Sequence, residues 1–267
     1  MSKEGYVQSG GKAVVIVTGG GSGIGAAVAD RLAKTHHVVV CGRRQSSLEA
    51  VALRSGVDTA ALDVTDYAAA QKLIENVVAK YGRLDGLVLN AGMVTSASVA
   101  DMTLEDWNLQ IDVNLTAPFV MAQAALPHLI KSQGAIVAVS SVGAIQTGPG
   151  LGAYASAKAG ISQLMKCIAY ENARFGVRAN VVAPGWIRTE MGDGEMRALG
   201  ISDSLEVAYS KVSEHVPQRR AGTAMEAAEV IVFLLSPAAA FVNGADYVVD
   251  GGSLIANSGM TYFDSQM

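Results

Sequence analysis

Short blocks of β-branched and aliphatic residues recur along the chain, separated by longer stretches in which apolar positions return every three to four residues. The blocks at 13–17, 37–41, 59–64, 84–89, 135–139, 177–183 and 247–249 are rich in Val, Ile, Leu and Ala, with 13–17 and 135–139 apolar throughout, which predicts buried strands. Helical spacing is predicted from the glycine cluster after the first block to about residue 34, and over 67–81, 104–131 (interrupted around Pro118 and Pro127), 154–174 and 224–235. Between 189 and 215 the pattern is irregular, mixing Gly, Met and charges, and a mobile lid over 190–215 is expected there. Seven strands alternating with helices predict the α/β class: one doubly wound, seven-stranded parallel sheet with right-handed crossovers and helices on both faces. No internal repeat, low-complexity segment or interdomain linker interrupts the pattern.

Composition narrows the partners. Half of the 267 residues are hydrophobic and 16% are charged, enough for a large buried core. A net charge of −4 without a basic block, and 6% aromatics, argue against nucleic acid. The first residues carry no long apolar segment, and the longest strongly apolar run, 230–235, is far short of a membrane span, so a soluble cytoplasmic protein is expected. Cys41 and Cys167 could form one disulfide, but nothing else resembles a secreted framework. The four histidines (His36, His37, His128 and His215) show neither triad nor metal spacing, so no metal is expected.

The chemistry concentrates at strand ends. Gly19, Ser22, Gly23, Ile24 and Gly25 lie between the first strand and its helix, where glycines let the backbone approach a ligand and the helix N-terminus suits a pyrophosphate. At the end of the second strand stand Arg43 and Arg44, where many dinucleotide folds carry an acid that holds the ribose 2′-hydroxyl. Guanidinium groups there favour a 2′-phosphate, hence NADP(H), with NAD(H) the alternative. Asn90, Ala91 and Gly92 close the fourth strand with small residues. Asn114 sits within a predicted helix that it suits poorly.

Tyr154 and Lys158 lie one helical turn apart, so an ammonium could lower the phenol pKa and make an acid/base pair. A serine hydroxyl could polarise a substrate oxygen beside them, and position alone leaves Ser140 and Ser141 as alternatives, since they face opposite ways on a strand. No G-x-S-x-G elbow surrounds either, which removes a serine hydrolase. Trp107 reads as a packing residue, whereas Trp186 follows a strand end and could line a pocket.

With Thr18-Gly19-x-x-x-Gly23-x-Gly25, Asp63-Val64, Asn90-Ala91-Gly92, Asn114, Ser141, Tyr154-x-x-x-Lys158, Pro184-Gly185 and Thr189 in this order, residues 12–252 resemble the classical short-chain dehydrogenase/reductases. The resemblance implies a Rossmann fold of strand order 3-2-1-4-5-6-7 spanning 12–254, between tails 1–11 and 255–267. The 13-residue step to Tyr154 selects Ser141 as the substrate-orienting residue. The resemblance further implies that Tyr154 is the general acid/base, that Lys158 holds the nicotinamide ribose and tunes the phenol, and that Asn114 holds a water in a proton relay. It implies Asp63 and Val64 beside the adenine, Asn90-Ala91-Gly92 on the adenosine side, Ile187 and Thr189 at the carboxamide, with Gly185 nearby. Leu89, where the family often has asparagine, is a mild departure.

The reading is therefore an NAD(P)(H)-dependent oxidoreductase interconverting a secondary alcohol and a ketone, or an aldehyde. Its pocket is expected to be mainly apolar, including Val94, Val142, Gln146, Leu151, Trp186 and Met191. A homo-oligomer, tetramer or dimer, is implied, through 224–252, with residues 255–267 reaching a neighbour or fraying. The rivals are a non-redox epimerase or dehydratase on the same fold, and a catalytically idle dinucleotide sensor or scaffold.

Overall fold

The computed structural model describes residues 11–256; the tails 1–10 and 257–267, with most of the expected 255–267 segment, lie outside the described residues. The strands are β1 (Ala13–Thr18), β2 (His36–Gly42), β3 (Asp58–Ala61), β4 (Gly86–Leu89), β5 (Ala135–Val139), β6 (Arg178–Pro184), two-residue β7 (Ile187–Arg188) and β8 (Gly222–Thr223), and β9 (Asp246–Val249). The helices are α1 (Gly23–Leu32), α2 (Gln45–Ser55), α3 (Tyr67–Tyr81), α4 (Leu104–Ile111), α5 (Ala117–Ser132), α6 (Gly152–Asn172), α7 (Glu190–Leu199), α8 (Leu205–Val212) and α9 (Ala224–Leu235).

The main sheet is parallel throughout, in the order β3-β2-β1-β4-β5-β6-β9. This is the expected order, with the last strand ninth in the chain because β7 and β8 form a separate pair. Alternate residues of β1 feed opposite cores, which is why its sequence is continuously apolar. Val14 and Ile16 pack with residues of α3, α5 and α6, whereas Val15 and Val17 pack with residues of α1, α2 and α9. The order reverses between β1 and β4, and in open sheets a ligand crevice forms beyond the carboxyl ends at such a point. Thr18 ends β1 there, and Asn90-Ala91-Gly92 follow β4.

Three expectations change. Helix α2 has no counterpart in the sequence reading: only Leu48 and Val51 are buried on it, too thin an apolar stripe to stand out. The 104–131 segment is one helical run broken by a π turn at Asp112–Thr116 rather than at its prolines, because Pro118 falls in the first turn of α5 where its missing N–H costs nothing. Leu104–Ser132 is long and apolar enough to cross a membrane by length and composition, but Ala117, Val120, Met121, Ala125 and Leu129 are buried in the protein's own interior. The segment read as irregular, 190–215, contains two helices, α7 and α8. Met196, Ala208, Tyr209 and Ala221 form a small separate core under them, with Trp186 packed against it.

Candidate active site

The floor of the crevice is a set of hydrogen bonds between the ends of β1 and β4. Thr18 Oγ1 accepts from the Asn90 and Ala91 amides, both at 2.9 Å, and Asn90 Nδ2 donates to the Thr18 and Gly19 carbonyls at 2.9 and 3.2 Å. Asn90 thus shapes the glycine turn from below. Gly19 has φ +63°, a left-handed conformation open to glycine. A Cβ on Gly25 would stand 2.5 Å from Asn90 Nδ2 and 2.6 Å from the Gly19 carbonyl oxygen. These residues fit a dinucleotide: α1 starts at the turn with no side-chain cap from Ser22 and no acid in its first turn, leaving N–H groups free for a pyrophosphate.

Arg43 and Arg44 follow β2, but their surroundings differ. Arg43 is exposed, with Nη1 3.9 Å from Asp63 Oδ2. Arg44 makes a two-pronged ion pair with Glu190 on α7 and reaches Ser22 Oγ at 3.3 Å. Asp63 also accepts from the Thr65 amide and hydroxyl, which fixes the turn after β3, and the adjoining Val64 is buried. Thr189 caps α7 by accepting from the Gly192 amide at 3.1 Å, and its side chain lies 3.2 Å from where a Gly23 Cβ would be. Ile187, on β7, is buried beside Gly222, while Gly185 lies against Asp250.

At the end of β5 the two serines separate. Ser140 is buried and donates to the Lys158 carbonyl at 2.8 Å while accepting from Ser162, so it ties β5 to α6. Ser141 faces the other way. Its Oγ accepts from the Gly143 amide at 3.0 Å, and its hydroxyl stands near enough to the Tyr154 phenol to draw the phenol pKa down. A Cβ on Gly143 would lie 3.3 Å from Ser141 Oγ and 3.7 Å from Tyr154 Cε1, so the glycine leaves the two hydroxyls free to meet.

Lys158 is buried, and burial brings its pKa down to about 8. Nζ donates to the Val139 carbonyl at 2.8 Å and stands 5.7 Å from the Tyr154 ring centroid. The expected lowering of the phenol by this ammonium is therefore not found. Burial pushes Tyr154 up to about 12, opposed by the nearby Ser141 hydroxyl and assisted by the negative charge of Glu195.

Asn114 lies in the π turn and is completely buried. It donates to the Met93 and Gln110 carbonyls, both at 2.9 Å, and accepts from the Met93 amide at 3.1 Å. Both amide hydrogens are thus committed, leaving a water only the second Oδ1 lone pair or the main-chain carbonyl. A Cβ on Gly92 would meet Asn114 Oδ1 at 3.0 Å and Lys158 Nζ at 3.3 Å, so this strand end brings both groups to one spot.

Of the expected substrate residues, Val142 lies in the turn after Ser141, Gln146 is exposed, and Trp186 belongs to the small core under α7 and α8. Trp186 also lines a recess of about 320 Å³ with Ile187, Gln218, Arg220 and Asp250. Sequence reasoning missed Glu195, whose half-buried carboxylate makes no hydrogen bond or ion pair among the described residues. Its spacing from the Met196 core position, once α7 is known to be a helix, is the signal that could have found it.

Comparison with known proteins identifies the family. The family described as Enoyl-(Acyl carrier protein) reductase matches residues 19–253. A 3-oxoacyl-[acyl-carrier-protein] reductase of Thermotoga maritima is 38% identical over 91% of this chain and 98% of its own. A meso-2,3-butanediol dehydrogenase of Serratia marcescens is 33% identical over 90% and 94%. The solved actinorhodin polyketide ketoreductase with NADPH superposes with a TM-score of 0.86 at 31% identity, covering 91% of this chain and 97% of that one. The chain belongs to the short-chain dehydrogenase/reductase family and is an NAD(P)-dependent oxidoreductase acting on alcohol and ketone groups.

Proposed function

We propose that the protein works with NADP(H) and uses Tyr154 as general acid and base between a ketone or aldehyde and its alcohol. The observation that carries this is the grouping of Ser141 Oγ, held by the Gly143 amide, and the Tyr154 ring around the Gly143 turn, with Lys158 buried one turn on. The nicotinamide, when bound, supplies or takes the hydride. In reduction the phenol, at about 12, is protonated at neutral pH and donates to the substrate oxygen that Ser141 also binds. Lys158 is mostly an ammonium below about 8 and is placed to hold the nicotinamide ribose when the dinucleotide is bound. Asn114 holds the Met93 backbone beside Lys158, on the path by which a water returns the proton.

The pH dependence follows in sign. Since kcat/KM reports the free enzyme, carbonyl reduction is expected to hold level up to pH 7 and fall as Lys158 loses its proton through about 8. Alcohol oxidation is expected to rise over the same range as the phenolate fraction grows. A reduction profile level to pH 10 would take the Lys158 charge out of the mechanism.

Glu195 amends the expectation of a mainly apolar pocket. An unpaired carboxylate within electrostatic reach of the phenol favours a substrate with a second hydrogen-bond donor, such as a hydroxy ketone or diol, and disfavours an anionic one. The relative named for meso-2,3-butanediol supports this class. With 3-hydroxy-2-butanone, Glu195→Gln is expected to raise KM about tenfold, the scale of one charged hydrogen bond, while 2-butanone changes little. Equal effects on both ketones would remove Glu195 from substrate recognition.

The absence of an acid at the end of β2, with Arg43 and Arg44 in its place, supports NADP(H) over NAD(H). We place the family domain at 12–254 with 190–215 as its lid. Free thiols at Cys41 and Cys167 support a cytoplasmic location. Met225, Phe233, Phe241 and Val248 are exposed apolar residues on and around α9 and β9, and support a homo-oligomer, tetramer or dimer.

A further inference from the structure

The guanidinium placed to receive a 2′-phosphate is already occupied by an anion from the lid. Arg44 donates through both Nη atoms to the two carboxylate oxygens of Glu190, and Nη2 also reaches Ser22 Oγ at 3.3 Å. Through Arg44, Ser22 and Glu190 are gathered into a three-residue cluster at the mouth of the glycine turn. This two-pronged geometry is the one a guanidinium uses for phosphate. The partnership keeps the Glu190 carboxyl below its ordinary range and raises Arg44. Both side chains are more than half exposed, so water and salt screen the pair and it can exchange partners cheaply. Arg43, by contrast, points to Asp63, so Arg44 is the arginine whose anion site is formed. Glu190 is the first residue of α7, which places the carboxylate on the segment that carries Glu195 toward Tyr154.

We propose that Glu190 is a cofactor-discriminating residue: it holds Arg44 as a stand-in for phosphate, so a dinucleotide carrying a 2′-phosphate must displace it, whereas one with a free 2′-hydroxyl leaves the pair in place. A phosphate monoester, with its greater charge, wins this exchange, but at a cost that only the phosphorylated cofactor bears. The exchange also releases the tie between the end of β2 and the first turn of α7. This rests on the NADP(H) reading above, and on Arg44 as the residue that serves it.

The test is equilibrium binding of adenosine 2′,5′-bisphosphate and of 5′-AMP, by calorimetry at low salt, to the wild type, Glu190→Gln, Arg44→Gln and the double variant. Glu190→Gln is expected to tighten the bisphosphate about two- to fivefold, the range of one exposed ion pair, and to leave 5′-AMP unchanged. Arg44→Gln is expected to weaken the bisphosphate at least tenfold, and Glu190→Gln to have no effect in that background. If Arg44→Gln weakens the bisphosphate but Glu190→Gln leaves it unchanged or weaker, or tightens both ligands alike, the Glu190 proposal is overturned and the NADP(H) reading stands. If Arg44→Gln changes neither ligand, the NADP(H) reading through Arg44 fails and the proposal falls with it.

Discussion

Tyr154→Phe is expected to lower kcat for ketone reduction about 10³-fold while cofactor affinity stays within twofold of wild type. General acid–base catalysis is commonly worth 10² to 10⁴, and a thousandfold loss corresponds to about 4 kcal/mol of barrier. The substitution removes one oxygen and keeps the ring, so the packing of α6 against the turn at Gly143 is preserved. The lost partner is the Ser141 hydroxyl, which still accepts from the Gly143 amide and is not orphaned. Ser141→Ala removes the other half of the pair and is expected to cost less, about 10²-fold. The double variant should lose little more than Tyr154→Phe alone, since residues acting as a unit are not additive. Kinetics on both substitutions, with cofactor titration by fluorescence, reads these outcomes. A Tyr154→Phe enzyme within tenfold of wild type would move the acid/base role to another group.

Gly25→Ala is expected to damage both fold and cofactor site. The new methyl would stand 2.5 Å from Asn90 Nδ2, a side-chain amide held by two hydrogen bonds, and 2.6 Å from the Gly19 backbone carbonyl oxygen. Relief requires moving Asn90, whose two donations to Thr18 and Gly19 hold the turn. Overpacking costs about 1–3 kcal/mol and each lost hydrogen bond about 1 kcal/mol, so a loss of about 2–4 kcal/mol follows. For a domain of this size that lowers Tm by about 5–10 °C. The cofactor Kd should rise at least tenfold as the turn and the α1 N-terminus separate. Gly194→Ala is the control: nothing lies within 4 Å of its Cβ position on α7, so stability should hold or rise. Thermal unfolding and cofactor titration of the pair check both; equal behaviour of the two variants would contradict the steric argument.

Sheet and catalytic series were legible because each rests on local pattern. Apolar runs mark β1 and β5 and the greater part of β2 and β6, and the strand–glycine–helix order marks the crevice. The Tyr154–Lys158 spacing fixes one helical face whatever surrounds it. What stayed hidden depends on partners distant in sequence. Ser140 and Ser141 are equivalent by composition; the family spacing selects Ser141, and the packing on α6 shows what Ser140 does instead. Lys158 was expected to lower the phenol pKa, yet Nζ is held by the Val139 carbonyl, and that bond cannot be read from an i,i+4 spacing. Asn90 was expected on the adenosine side of the cofactor, and its side chain's hold on the glycine turn from beneath was not foreseen. Helices α7 and α8 read as irregular because their burial is confined to a few residues, Met196, Ala208 and Tyr209 among them, in a small core of their own. Without those helices, neither Glu190 nor Glu195 could be assigned a side.

The most direct test of hydride transfer at Tyr154 is to reduce a ketone with NADPH carrying deuterium at the transferable position and to follow nicotinamide absorbance and product together. One equivalent of cofactor oxidised per alcohol formed, with deuterium on the new carbinol carbon and a thousandfold slower rate in Tyr154→Phe, is the predicted result. Product formed with the absorbance unchanged, or with deuterium retained on the cofactor, would contradict it.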